Sequence, residues 1–184
     1  MEKKIVFELS QKSALYLCKH FINLSSTEQK RIEEYFTIDQ ISSLMSEIGS
    51  KFLSEFVKGP FDLISLLNRK SPKNIIKQDN GRTAFIFEFS LMVGTCSLIE
   101  LIKIPEKHRI NLKKICRGNN QVWSFHTKER FFTNQIVLIT DNNSVITCFP
   151  GIFAPPLPSL ELPESLKNES TEFWQKHSFI QYEE

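Results

Sequence analysis

Residues 101–150 read LIKIPEKHRINLKKICRGNNQVWSFHTKERFFTNQIVLITDNNSVITCFP, and this stretch decides the fold class. Three parts of it are rich in apolar, β-branched and aromatic side chains, as strands are: residues 122–125, 135–140 and 145–149. Asp and Asn occupy residues 141–143, and both residue types tolerate the left-handed backbone of a tight turn. The stretch therefore predicts an antiparallel hairpin preceded by another strand.

The chain before residue 80 has the periodicity of helices. Ser10 is predicted to cap a first helix that ends at Phe21. Ser25 and Glu28 have the spacing of a capping box, which predicts the start of a second helix. Apolar residues then recur every three or four positions over residues 38–56, and this period predicts a long third helix.

These patterns predict an α+β fold, in which an N-terminal segment of about three helices packs on a C-terminal antiparallel sheet of four to five strands. Residues 1–80 form the predicted helical lobe and residues 81–184 the predicted β domain, with one integrated domain as the alternative. The β domain ends in a Pro-rich tail, residues 154–162, which should lie extended over the surface. A closing helix is predicted to begin at Pro163.

Composition and motifs exclude several classes of protein. No apolar run reaches the roughly 18 residues of a membrane-spanning helix, and the N-terminus lacks the apolar core of a secretory signal, so a cytoplasmic protein is expected. The chain contains no GxGxxG, GxxxxGK, GxSxG or HExxH motif. Its cysteines lack the close pairing of structural zinc ligands, so we expect buried free thiols and neither a metal nor another cofactor. The four cysteines are Cys18, Cys96, Cys116 and Cys148.

Positive charge is concentrated in one segment of the chain. The net charge of the whole protein is +2, yet residues 101–135 contain eight Lys or Arg against two Glu, a net charge of +6. A basic segment of this kind indicates contact with RNA or with an acidic partner. The predicted RNA-binding residues are Lys103, His108, Arg109, Lys113, Lys114 and Arg117.

The residues after the predicted strand at 122–125 could carry acid/base chemistry. Cleavage of RNA by internal transfer needs a group that accepts the 2′-hydroxyl proton, a group that protonates the leaving oxygen, and cations beside the phosphate. In an extended strand, alternation would place His126, Lys128 and Arg130 on one face, and these are the predicted catalytic residues. The alternative is a solvated hairpin end whose charges only keep the protein in solution.

Two further residues have a structural and a functional interpretation. Thr147 belongs to a predicted central strand, and its hydroxyl could contact phosphate as a fourth catalytic residue or simply bond the backbone. Trp123 is expected to pack in the core, with stacking on a base as the alternative.

The order of these segments resembles a known group of proteins. The stretches GTCSLIELIKIPEKHRI, RGNNQVWSF and QIVLITDNNSVITCFPG resemble the small bacterial toxin ribonucleases of the barnase, EndoU, colicin and RelE grouping. The resemblance implies a metal-independent ribonuclease that acts on tRNA or mRNA, with His126, Lys128, Arg130 and Thr147 in the active set and a cognate immunity or antitoxin protein as partner. The chain departs from that pattern in its longer helical part and in a turn without the usual Gly.

A non-enzymatic binding module is the main alternative function. An immunity or antitoxin protein, or another interaction protein of a defence system, would use charge to dock on its partner. Residues 136–184 carry a net charge of −5 and could face a basic surface. A concave cluster of His126, Lys128 and Arg130 would favour the enzyme, whereas a convex or acidic surface would favour binding alone.

Overall fold

The computed structural model describes residues 5–183, which form an α+β fold. The helices of this range are concentrated in its first part. They are α1 (Gln11–Leu17), α2 (Ser26–Glu33), α3 (Ile38–Met45), α4 (Pro60–Leu67), α5 (Glu106–Arg109) and α6 (Glu164–Lys176). No helix of residues 5–183 combines the length and apolarity that crossing a bilayer requires.

Strands predominate after residue 73 of the described range. They are β1 (Asn74–Lys77), β2 (Arg82–Glu88), β3 (Gly94–Thr95), β4 (Leu98–Glu100), β5 (Lys113–Arg117), β6 (Asn120–Thr127), β7 (Phe132–Thr133), β8 (Gln135–Asp141), β9 (Ser144–Pro150) and β10 (His177–Tyr182). Instead of one sheet of four to five strands, they form two four-stranded sheets, in the orders β1-β2-β8-β9 and β4-β10-β6-β5, and a two-stranded sheet of β3 and β7.

The structure divides into two compact units, and each unit is built from two separate parts of the chain. Among the described residues, the first unit comprises residues 5–95 and 132–152, and the second comprises residues 96–131 and 153–183. The predicted division between residues 80 and 81 falls inside the first unit, within the turn that joins β1 to β2. The sequence change at that point marks the turn of a hairpin rather than the edge of a compact unit.

The first unit contains the predicted β8–β9 hairpin. Asn142 has a φ of 53°, so the Asp/Asn turn adopts the left-handed conformation that its sequence favours. The core of this unit packs N-terminal apolar side chains against the antiparallel sheet. Phe21 and Phe52 from the N-terminal part, and Phe87 and Leu138 from the sheet, are each at most 1% exposed.

The third helix is shorter than the sequence predicts. It is capped by Thr37 as a full capping box with Gln40, but it ends at Met45 rather than at residue 56. Phe52, which would have continued its apolar stripe, instead forms isolated bridges with Phe21 and Gly94. Burial of this ring in the core therefore outweighs the local helical period.

The second unit contains a mixed sheet. β6 pairs antiparallel with the edge strand β5 and parallel with β10. The core beside it includes Ile104, Phe125, Ile180 and Tyr182. The predicted closing helix is α6, but the strand that follows it, β10, was not predicted, and it lies between β6 and β4 at the centre of this sheet.

Candidate functional site

A cavity of about 630 Å³ lies at the carboxyl end of β6 in the second unit. Its charged or titratable lining residues are His108, Lys113, His126, Lys128 and Glu183. The first four of these belong to the basic segment, residues 101–135, and lie up to 20 positions apart in the sequence. The fold brings them together with Glu183. Two imidazoles, two ammonium groups and one carboxylate therefore face the same space.

His126 reaches the cavity because it lies near the carboxyl end of β6, beside the end of the neighbouring strand β10. Its Cα partner on β10 is Gln181, and β10 ends one residue before Glu183. The side chain of His126 is 48% exposed, and its Nδ1 lies 3.7 Å from Oε1 of Glu183. The imidazole is therefore both accessible to a ligand and adjacent to a carboxylate that the basic segment does not contain.

β6 ends one residue after His126. The hydroxyl of Thr127 accepts a hydrogen bond from the backbone N–H of Glu129 at 2.9 Å, a local turn that competes with strand structure. Lys128 and Glu129 lie in the resulting bend. The alternation that sequence reasoning extended to residue 130 therefore stops at Thr127.

This early end of the strand separates the three predicted catalytic residues. His126 and Lys128 both line the cavity, but Arg130 does not. The guanidinium of Arg130 lies 4.6 Å from the centroid of the Tyr182 ring instead, in a cation–π contact. Arg130 is thus a packing partner of β10, and its predicted place beside His126 and Lys128 is corrected.

His108 occupies a more enclosed part of the same cavity. Its side chain is 13% exposed, and its ring lies 5.7 Å from that of Phe125 and 5.8 Å from that of Phe131. Nε2 of His108 lies 2.6 Å from Oε2 of Glu129. Aromatic packing and this contact hold the imidazole in one orientation.

Glu129 links His108 to a second cation. Nζ of Lys107 lies 2.7 Å from the same carboxylate oxygen, Oε2, that contacts His108. The hydrogen bonds from Lys107 and His108 keep the pKa of Glu129 below its usual range, so this carboxylate stays charged. Alternation along an extended strand would point Glu129 to the face opposite His126, whereas the structure makes it the partner of a cavity histidine.

The predicted RNA-binding residues divide into two groups. Lys113, on β5, lines the cavity together with His108. Lys114 and Arg117 lie on the same exposed edge strand, with their charged groups over the rings of Trp123 and Phe179, respectively. β5 is the edge of its sheet, so one side of the strand has no neighbouring strand among the residues that the structure describes.

Lys103 and Arg109 are not part of the cavity. Lys103 forms an ion pair with Glu100 at 2.8 Å. Arg109 donates from Nε to the carbonyl of Ile104 at 3.0 Å and from Nη2 to that of Ile102 at 3.2 Å. Both residues make local contacts outside the cavity, and their role in RNA binding stays a prediction.

Thr147 lies in the other compact unit. It is on β9, opposite Ile139 of β8, and β9 is an edge of the first sheet rather than a central strand. Its predicted role beside His126 therefore has no support in the geometry of the second unit. The spacing of Val, Ile and Thr identified its strand correctly but carries no information about which sheet the strand joins.

The cysteines follow the expectation of buried thiols with one exception. Cys18, Cys96 and Cys148 are buried, and burial raises the pKa of Cys18 to about 12. Cys116, on β5, is exposed. Within residues 5–183, no group of three or more His, Cys, Asp or Glu side chains is arranged to hold a metal ion.

Comparison with known proteins finds a likeness to solved structures and no sequence family. No family model matches the chain, and no curated protein matches it. Among solved structures, it is similar to a conserved hypothetical protein from Toxoplasma gondii ME49, whose crystal structure has a resolution of 2.35 Å. That likeness has a TM-score of 0.46 and 9% sequence identity, and it covers 67% of this chain and 86% of the other.

Proposed function

We propose that the second unit binds RNA and cleaves it by metal-independent acid/base transesterification. The observation that carries this proposal is the cavity in which His108 and His126 lie with Lys113 and Lys128. Imidazoles can exchange protons near neutral pH, and ammonium groups neutralise phosphate. These are the groups that this reaction requires.

The two imidazoles would have opposite roles in the reaction. His126 would accept the proton of the ribose 2′-hydroxyl as that oxygen forms a bond to phosphorus. His108 would donate a proton from its second ring nitrogen, Nδ1, to the 5′-oxygen as the bond from phosphorus to that oxygen breaks. The products would be a 2′,3′-cyclic phosphate and a free 5′-hydroxyl.

The lysines would stabilise the charge that develops on the phosphate. Lys113 approaches the cavity from β5 and Lys128 from the bend after β6, so the two ammonium groups come from different elements. Preorganised cations are most effective where charge grows in the transition state. Glu183 is the single carboxylate among the described residues that line the cavity, and it would oppose the binding of phosphate while remaining close to His126.

This activity would suit a toxin-like ribonuclease in the cytoplasm, restrained by a cognate immunity or antitoxin protein. That protein would need an acidic surface to cover the cavity and the exposed cations of β5. Resemblance of the β-rich segments to bacterial toxin ribonucleases supports this setting.

A second candidate function is binding without cleavage. It is favoured by the exposed positions of Lys113, Lys114 and Arg117 on one edge strand, because exposed cations can contact an acidic protein as well as RNA. The chain would then be an interaction module of a defence system.

Incubation of the purified protein with labelled RNA in EDTA tests the proposal. We expect fragments with 2′,3′-cyclic phosphate ends from the parent protein, and a decrease in rate of about 10²- to 10⁴-fold for His126→Ala. Lys77→Ala is the matched surface control, because Lys77 is an exposed lysine on an edge strand of the first unit.

The outcomes separate the two functions. Intact RNA with the parent protein, or equal cleavage by His126→Ala purified in the same way, would contradict the ribonuclease. Binding of RNA without cleavage would leave a nucleic-acid-binding module. Absence of both binding and cleavage would favour a protein partner.

A further inference from the structure

A second cavity in the same unit lies beside the β5–β6 hairpin. Its volume is about 290 Å³, and its lining includes Lys114, Asn120, Gln121, Trp123 and Trp174. With Gln175, which also lines it, two indole rings, three amides and an ammonium group meet in a space large enough for a nucleobase. None of these side chains has a role in the acid/base reaction proposed for the first cavity.

The two tryptophans are not equivalent. Trp174 is 8% exposed, donates from Nε1 to the carbonyl of Pro155 at 3.2 Å, and stacks on Phe179 with ring centroids 5.1 Å apart. Its position is explained by packing. Trp123 is half-buried, and Nζ of Lys114 lies 5.1 Å from the centroid of its ring.

The contact between Lys114 and Trp123 can be exchanged for a base. Lys114 is exposed and its side chain is flexible, so the ammonium group can leave the ring and move to a neighbouring phosphate. Stacking of a base on an aromatic ring contributes more binding free energy than a cation over an exposed ring does. Exchange of the ammonium group for a base is therefore favoured when RNA is present.

The edge strand connects the two cavities. Lys113 lines the first cavity and Lys114 lines the second, and consecutive residues of a strand project to opposite faces. Among the described strands, β5 pairs with β6 alone, so its other edge is free. An extended polymer can pass over that edge. A ligand that occupies both cavities would have to cross this edge, as a single-stranded chain could.

We propose that the second cavity is a base-binding subsite for single-stranded RNA, in which Trp123 stacks on a nucleobase outside the cleaved linkage. The inference rests on the proposed RNA-binding function of the first cavity and extends it. Asn120 and Gln121 supply amide donors and acceptors at the rim, and Lys114 and Arg117 supply charge along the strand. Double-stranded RNA is excluded as the preferred ligand because its bases are already stacked and paired.

Binding of a labelled 2′-O-methyl RNA hexamer tests the subsite without interference from cleavage. The methyl group blocks the attacking hydroxyl, so fluorescence anisotropy reports binding alone. We expect Trp123→Ala to raise the dissociation constant by about 5- to 150-fold, the range for loss of one stacked base. Trp123→Phe retains an aromatic face and should recover most of that loss.

Phe132→Ala is the matched control, since Phe132 is an aromatic residue of the first unit with 52% exposure. It should bind the hexamer as the parent protein does. A second measurement needs no variant: a hexamer that carries 5-iodouridine should form a photochemical cross-link to Trp123, located by mass spectrometry.

Each outcome decides between the subsite and the function on which it rests. If the hexamer binds, and Lys113→Ala weakens binding while Trp123→Ala does not, the subsite is overturned and the RNA-binding cavity stands. If cross-links at every labelled position avoid Trp123, the subsite is also overturned. If the parent protein does not bind the hexamer, both proposals fail.

Discussion

Oε1 of Glu183 lies 3.7 Å from Nδ1 of His126, in a cavity that is otherwise lined, among the described charged or titratable residues, by lysines and histidines. Both side chains are 48% exposed, so the pair contributes little to stability. Its larger effect should be on ligands, because a carboxylate beside His126 repels the phosphate that Lys113 and Lys128 attract.

Glu183→Gln should therefore strengthen RNA binding. At low salt we expect a 2′-O-methyl RNA hexamer to bind about 2- to 5-fold more tightly, which corresponds to at most about 1 kcal/mol for an exposed charge. The gain should fade as ionic strength rises, because salt screens the repulsion. Glu34→Gln, at an exposed residue of the first unit, controls for the change in net charge; equal gains in both variants would refute a local effect.

Lys113→Ala should lower the salt dependence of RNA binding. Each phosphate contact that is lost reduces the slope of log K against log salt by about 0.7 for a single strand. We expect this decrease for Lys113→Ala and an unchanged slope for Lys77→Ala, which removes a comparable exposed lysine from the edge strand β1. Parallel slopes for all three proteins would show that Lys113 contacts no phosphate.

Local chemistry made much of the fold predictable. The cap at Ser10, the hairpin turn at Asn142 and the helix after Pro163 depend on neighbours in the sequence, and the structure contains all three. The partners of strands are not local. β10 lies at the centre of its sheet but directly follows a helix, so nothing near it in the sequence indicates which strands it joins.

The sequence predicts which types of residue form the candidate site, but it does not predict which individual residues meet there. Charge and histidine content identified His108, Lys113, His126 and Lys128, which the cavity brings together. Glu183 was missed because it joins them only through the pairing of β10 with β6. Arg130 was included wrongly because the turn at Thr127 interrupts the alternation on which it depended.

Acid should destabilise the first unit through His20. Nδ1 of His20 lies 3.0 Å from the carbonyl oxygen of Ser50, to which the neutral ring donates, and burial lowers the pKa of His20 from 6.5 to about 4. Between these pH values the unfolded chain binds the proton and the folded chain does not. The free energy of unfolding should therefore fall as pH decreases through this window, by up to about 1.4 kcal/mol per pH unit.

Urea denaturation of the parent protein and His20→Gln at pH 7, 6 and 5 measures this effect. The variant lacks the titrating ring, so its stability should decline less between pH 7 and 5, even if it is less stable at pH 7. Parallel declines would show that His20 is not responsible for acid sensitivity in this range.

Glu28 and Gly59 should be coupled in stability. Oε2 of Glu28 accepts a hydrogen bond from the backbone N–H of Phe61 at 2.8 Å in the first turn of α4, and Glu28 is 5% exposed. A Cβ added at Gly59 would lie 2.5 Å from Cγ and Oε2 of Glu28 and 2.7 Å from its Cβ. Gly59→Ala should therefore lower the free energy of unfolding by about 1–3 kcal/mol, the usual cost of overpacking.

A double-mutant cycle separates this steric effect from a loss of backbone freedom at Gly59. Glu28→Ala alone should cost about 1–3 kcal/mol, because it leaves the N–H of Phe61 without its acceptor. It also removes Cγ and Oε2, two of the three atoms that the new Cβ would meet, so the double variant should be more stable than the sum of the single losses by at least about 0.5 kcal/mol. Gly81→Ala is the matched control: Gly81 has a φ of +82° with no atom within 4 Å of an added Cβ, so strain alone should destabilise it, additively with Glu28→Ala. Additivity at Gly59 as well would show that Glu28 does not confine this position.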